Sequence, residues 1–175
     1  PSRGLGDVYK RQLYDLTEEL ERADRAFCQD PERFQRFRVE QRVSWSASAP
    51  GAHYFLTTLS RTPEPRLLEE IQWTDAFDPM TGAHIPTEEL FSAGRDQVID
   101  ALLAQMKGVE APLAQELRDA FQFSYLCFWP DHLSVWFPAG SLPSQEHSWG
   151  WSFGYDALSG VLRPWAVPVE EPPEL

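Results

Sequence analysis

Cysteine is scarce in this chain. Cys28 and Cys127 are the only two among 175 residues, roughly a hundred positions apart and without metal-type spacing. One disulfide is arithmetically available, two buried free thiols fit the count at least as well, and neither reveals the redox compartment. Positive charge is also short, with 15 Lys and Arg against 27 Asp and Glu, for a formal charge of −12. That balance makes nucleic acid a poor partner, since phosphate binding needs clustered basic residues. An acidic exterior keeps a protein soluble, and it draws basic proteins or cations by raising association rates. No run of 18 apolar residues exists to span a membrane. There is no Gly-x-Ser-x-Gly, no glycine-rich loop leading into a helix, no internal repeat and no recognisable signal peptide.

What the chain does have is aromatic: seven Trp, eleven Phe and five Tyr, within 42% hydrophobic residues. Each buried ring removes enough apolar surface to contribute about 1.5–3 kcal/mol, ample for one domain with a core of its own. Residues 1–12, "PSRGLGDVYKRQ", stand apart. They lack an initiator Met and resemble a translated sequencing adapter rather than evolved protein. The expectation is that the true gene begins upstream of Leu13, with any signal or anchor in the missing portion. Without these twelve residues the chain keeps 12 basic and 26 acidic side chains, a charge of −14.

Leu13, Leu16, Leu20, Ala23 and Phe27 recur at three- and four-residue intervals, which predicts an amphipathic helix over residues 13–30 ending at Asp30-Pro31. From Arg36 to Phe77 the period changes to two, predicting three strands. "FRVEQRVSWSAS" sets Phe37, Val39, Gln41, Val43 and Trp45 against Arg38, Glu40, Arg42, Ser44 and Ser46. Breaks at Ala49-Pro50-Gly51 and Thr62-Pro63-Glu64-Pro65 make the strands an antiparallel meander with one buried face. Asp78-Pro79-Met80-Thr81-Gly82 carries tight-turn chemistry. Thr87 is placed to N-cap a short acidic turn that plugs Leu90 and Phe91 into the core. "RDQVIDALLAQM" predicts a helix over 95–106 with Val98, Ile99, Leu102, Leu103 and Met106 inward, stopped near Gly108. A second, over 111–120, turns Leu113 and Leu117 inward. "FQFSYLCFW" and "HLSVWFP" flank a Pro130-Asp131 hairpin turn, and "SWGWSFGYDAL" predicts a strand with one aromatic face. The proline-rich acidic segment 163–175 reads as poorly ordered. The class is α+β: an antiparallel, β-grasp-like sheet packed on one or two helices in a single domain.

Chemistry-bearing residues are few. Asp131-His132 and Glu146-His147 bring imidazole beside carboxylate, the donor types zinc takes, but both fall in loops where neighbours in sequence diverge. Cys127 lies inside "YLCFW", a buried strand, and reads as a packed thiol. The doublets Glu18-Glu19, Glu69-Glu70, Glu88-Glu89 and Glu170-Glu171 sit on solvated turns and supply no pair of acids across a cleft. Trp149 and Trp151, with Phe153 and Tyr155, would stack on a sugar or dock a partner if exposed, and form the packed side of a sheet if not. No catalytic, cofactor or metal set emerges.

The order of these parts resembles the C-terminal domain of the anti-sigma-V factor (RsiV) family, over roughly residues 36–162. The likeness rests on Phe77, Asp78, Thr81 and Gly82, followed by Leu90 and Phe91. In that family an aromatic strand runs into an Asp-x-x-Thr-Gly turn and then an acidic segment ending in Leu-Phe. The hairpin from Tyr125 to Phe137 and the segment from Phe153 to Leu158 match later parts. His132 stands where the family's hairpin has glycine. That domain of unknown function also occurs beside peptidoglycan-deacetylase-associated modules. The resemblance implies a non-catalytic extracytoplasmic sensor or binding domain recognising a lysozyme-like basic protein or a cell-wall ligand such as peptidoglycan. Its alternative is an accessory module of a cell-envelope enzyme such as a peptidoglycan deacetylase.

Overall fold

The change of hydrophobic period at Asp30-Pro31 divides helix from strand in the structure. The computed structural model describes residues 16–34, 37–63 and 69–169. The adapter-like residues 1–12, the Glu64-Pro65 part of the second break and the end of the chain from residue 170 lie outside the described residues. Helix α1 (Leu16–Gln29) comes first, followed by strands β1 (Phe37–Ala49), β2 (Ala52–Pro63), β3 (Glu69–Phe77) and β4 (His84–Ile85). Helices α2 (Arg95–Gln105) and α3 (Ala111–Ala120) follow. The chain then returns to strands with β5 (Leu126–Phe128), β6 (Leu133–Phe137) and β7 (Trp149–Phe153). The α+β class stands. Two antiparallel sheets take the place of the single sheet read from the sequence, in the orders β1-β2-β3-β4 and β5-β6-β7.

A bulge sets which side of the first sheet meets the core. Trp45 pairs with Phe55, but Ala47 pairs with Tyr54, so Ser46 is the extra residue. An inserted residue reverses the inward and outward phase of everything after it. Ala47 and Ala49 therefore share a face with Tyr54 and Ala76 in the main core, while Val43 and Trp45, at 41% and 37% exposure, point the other way. The aromatic phase of β1 is thus the outer one, contrary to the one-faced meander expected. Helix α1 departs similarly. Leu20 and Phe27 on its apolar stripe are exposed, and the sheltered positions are Glu19, Ala23 and Ala26.

Tyr54 joins the two sheets. Its ring stacks on Phe128 of β5 at 4.5 Å between centroids and 4° between planes, and its hydroxyl donates to the Ala166 carbonyl at 2.5 Å. Burial pushes this phenol's pKa up, which keeps it a neutral donor. The backbone N–H of Phe128 donates to Thr74 Oγ1 on β3 at 3.3 Å, a second tie between the sheets. Around this pair gather Leu126, Leu133, Val135, Phe137 and Phe153 from the second sheet and Val98, Ile99 and Leu102 from α2. Leu117 of α3 is fully buried and Leu113 packs on the core, as their spacing predicts. Phe123–Tyr125, expected as strand, is instead a 3-10 turn leading into β5.

The last described residues, 164–169, are also built in. Pro164–Ala166 forms a 3-10 turn with Ala166 fully buried, Gly51 N–H donates to the Trp165 carbonyl at 2.9 Å, and Val169 N–H donates to the Ser48 carbonyl at 2.8 Å. The expectation of poor order fails for residues 164–169, because these backbone bonds and the Tyr54 hydroxyl fasten them to the first hairpin.

Arg95 at the start of α2 caps the far end of α3. Its Nη2 donates to the Arg118 carbonyl at 2.6 Å and its Nε to the Phe121 carbonyl at 3.0 Å, groups left without helical partners. We predict that Arg95→Ala lowers unfolding stability by about 1–3 kcal/mol. Arg95→Lys should recover part of the loss, since an ammonium has no planar fork to span several carbonyls. Urea melts of the two variants check this, and wild-type midpoints in both would contradict it.

Candidate functional site

The motif that carries the family likeness is a self-contained turn. Asp78 Oδ1 accepts the backbone N–H groups of Met80 and Thr81, each at 2.8 Å. Gly82 N–H donates to the Asp78 carbonyl and Asp78 N–H to the Ala83 carbonyl, also at 2.8 Å each. Gly82 takes φ +68°, a region open to glycine. The hydrogen bonds from Thr81 and Met80 hold the Asp78 carboxyl below the ordinary carboxylate range. Phe77, Leu90 and Phe91 are buried, and Arg163 secures the segment by donating from Nε to the Glu89 and Phe91 carbonyls at 3.0 Å. Thr87 does not serve as the expected N-cap. It is the first residue of a four-residue 3-10 turn, Pro86 precedes it, and no side-chain cap bond forms. These residues shape the fold and present no reactive group.

On the outer face of the first sheet, two histidines flank Phe77. Ser48 Oγ and His53 Nδ1 share a hydrogen bond at 2.6 Å, and His84 Nε2 lies 3.5 Å from Asp75 Oδ1. A relay of hydroxyl, imidazole and carboxylate needs serine and acid on one ring. Here they are divided between two rings, and Ser48 is buried. Cys127 is buried on the same side of its sheet as Ser134, and burial pushes its thiol up to about 12. It is inert at neutral pH. Cys28 is an exposed free thiol.

The accessible feature is an open cleft of about 550 Å³ over the second sheet, within the range of small-ligand sites. The alternation of β6 creates it. Leu133, Val135 and Phe137 turn into the core, so Ser134 and Trp136 turn out. Gly150 of β7 pairs with Trp136 and Ser152 with Ser134. A Cβ on Gly150 would come within 2.9 Å of Trp136 Cε3, so only glycine lets the indole lean across the strand there. Gln72 of β3 contributes an amide from the other sheet. At the opposite end Trp129 donates from Nε1 to Ser134 Oγ at 2.9 Å and stacks on His132, with 5.7 Å between centroids. His132 Nδ1 bonds Asp131 Oδ1 at 2.7 Å, so these sequence neighbours face each other, unlike the diverging pair read from the sequence. That bond is the main cause of a lowered Asp131 pKa.

Trp149 and Trp151 sit on the other side of β7. Both are half-buried and pack against the main core, 6.0 Å apart between ring centroids, and Trp151 also borders the cleft. Sequence reasoning missed Trp129, Trp136 and Gln72. The available signal was a tryptophan in the polar phase of "HLSVWFP". Among the described residues, no group of three His, Cys, Asp or Glu converges on a metal position, and no helix is long and apolar enough to cross a membrane.

No family model and no curated protein matches the chain. Solved structures do. A DUF3298 family protein from Pseudomonas aeruginosa PAO1 superposes with a TM-score of 0.55 at 13% identity, covering 95% of this chain and 82% of that one. A member of the same family from Bacteroides fragilis gives 0.51 at 9% identity, covering 90% of this chain and 66% of that one. The chain therefore shares its fold with proteins of a domain of unknown function.

Two outcomes follow from the turn. Nothing lies within 4 Å of a Cβ at Gly82, so Gly82→Ala isolates the backbone term and should cost about 1–2 kcal/mol. Gly82→Asn should cost less, which thermal melts would show. Asp78 ionises more readily when folded, so its charge stabilises the fold above the ordinary value of about 3.9 and stops doing so as pH falls through the lowered folded value. The melting-temperature gap between wild type and Asp78→Asn should be widest at neutral pH and close in acid. A gap that is constant with pH would refute the carboxylate's role.

Proposed function

We propose that this domain recognises rather than reacts: a non-catalytic, extracytoplasmic sensor or binding domain of the RsiV-like kind, whose ligand is a basic, lysozyme-like protein or a cell-wall component. The observation that carries the reading is how the potentially reactive groups are engaged. Ser48 is buried and bonded to His53, while Asp75 lies beside a different ring, that of His84; Ser134 receives an indole N–H, and Cys127 is buried with a raised pKa. None is presented to the accessible cleft as an activated nucleophile. The charge of −12 supports a basic partner.

Lysozyme binding to the whole chain tests the protein-partner reading. The association rate should fall about tenfold or more between about 0.01 M and about 0.1 M salt, as the screening length shortens from about 30 Å to about 10 Å. Interferometry with immobilised domain reads this directly. Salt-independent association, or turnover of a cell-wall substrate by the domain alone, would sink the proposal.

A further inference from the structure

The cleft over the second sheet has the chemistry of a saccharide site. Its walls combine the indoles of Trp129 and Trp136 with the Gln72 amide, the Ser134 and Ser152 hydroxyls and the His132 imidazole. Among the described residues no Lys, Arg, Asp or Glu lines it, although charged residues make up 24% of the chain. With no carboxylate, ammonium or guanidinium among its described lining residues, the cleft offers no bidentate partner for a phosphate or carboxylate and no counter-charge for an ammonium. A pyranose ring matches what is there. One of its faces carries polarised C–H groups that lie favourably on the electron-rich face of an indole. Its rim of hydroxyls both donates and accepts, as do an amide, a hydroxyl and an imidazole.

The local construction supports that use. Gly150 removes the one side chain that would block Trp136 from leaning over the strand, and His132, held by Asp131, backs the Trp129 ring. Both tryptophans are therefore braced by the fold. Prepositioned aromatics lose little conformational freedom when a ligand arrives. The Trp136 indole N–H is itself buried and finds no acceptor among the described residues. Such a group has a hydrogen bond to gain from any small adjustment on binding.

We infer that this cleft binds a neutral oligosaccharide, stacked on Trp136 and Trp129 and hydrogen-bonded by Gln72, Ser134 and Ser152. The inference rests on reading the domain as a binding module, and it names the ligand class of this one site.

Titration of the full chain with chitotetraose and with cellotetraose, followed by indole N–H NMR signals, tests it. At least one sugar should shift the Trp129 and Trp136 signals while leaving exposed Trp45, on the other sheet, unmoved. Trp136→Ala should weaken binding about tenfold or more, the loss typical of truncating an aromatic anchor. Trp45→Ala should leave the affinity unchanged. If Trp136→Ala does not fold, Gln72→Ala and Ser152→Ala carry the same expectation of weaker binding. The inference is overturned if neither sugar shifts these signals at millimolar concentration, if all variants bind alike, or if a proline-rich peptide occupies the cleft in place of sugar. Because the titration contains no lysozyme, sugar binding without lysozyme binding keeps the cleft and removes only the protein partner. Lysozyme binding with no response to sugar does the reverse.

Discussion

The contact between Tyr54 and Phe128 is where three separate parts of the chain become one object. The ring faces of residues 74 positions apart stack almost parallel, and the same tyrosine reaches the Ala166 carbonyl with its hydroxyl. A phenol can be buried this deeply only if its O–H finds a partner. The last described segment supplies one, so the C-terminal turn is part of the core's hydrogen-bond accounting. Tyr155 repeats the arrangement on a smaller scale, donating to the Trp129 carbonyl at 2.7 Å. In this way the main core holds one wall of the cleft in place.

Much of the architecture was legible because period is a local signal. The switch from three-and-four spacing to alternation located α1 and the first two strands. It also placed residues 69–77 in a third strand. Val98, Ile99 and Leu102 on α2 and Leu117 on α3 are buried as their spacing requires. Facing was less legible. Periodicity cannot show a single inserted residue, and Ser46 reverses the phase of β1 in the middle of the strand. Residues 164–169 were misread for a different reason. Their proline content suits disorder, but the groups that hold them in place belong to Tyr54, Ser48 and Gly51, more than a hundred residues earlier.

The cleft was illegible for a geometric reason as well. Trp149 and Trp151 stood out because they lie in one conspicuous aromatic run. Trp136 and Trp129 border the cleft because cross-strand pairing puts glycine opposite the one and the hairpin sets a histidine over the other. Gln72 arrives from the other sheet, a relation that spacing cannot encode. The turn motif behaves in the opposite way. Its residues are strongly patterned in sequence, and their bonds are spent on one another. Pattern strength here reports backbone geometry, and the surface available to a ligand lies where the pattern is weak.

The bulge in β1 has a further consequence for how the molecule lives among its own copies. β1 is an outermost strand, and such a strand offers unpaired N–H and C=O groups to any chain that can dock alongside. Before the bulge, its side shared with Leu56 carries Arg38, Glu40 and Arg42, linked at 3.0 and 2.6 Å. A neighbour adding to this border would have to desolvate that ion ladder and then follow a strand that changes phase at Ser46. Charge on an edge strand is a known guard against edge-to-edge pairing, and here it sits on the strand that carries Val43 and Trp45 in the open.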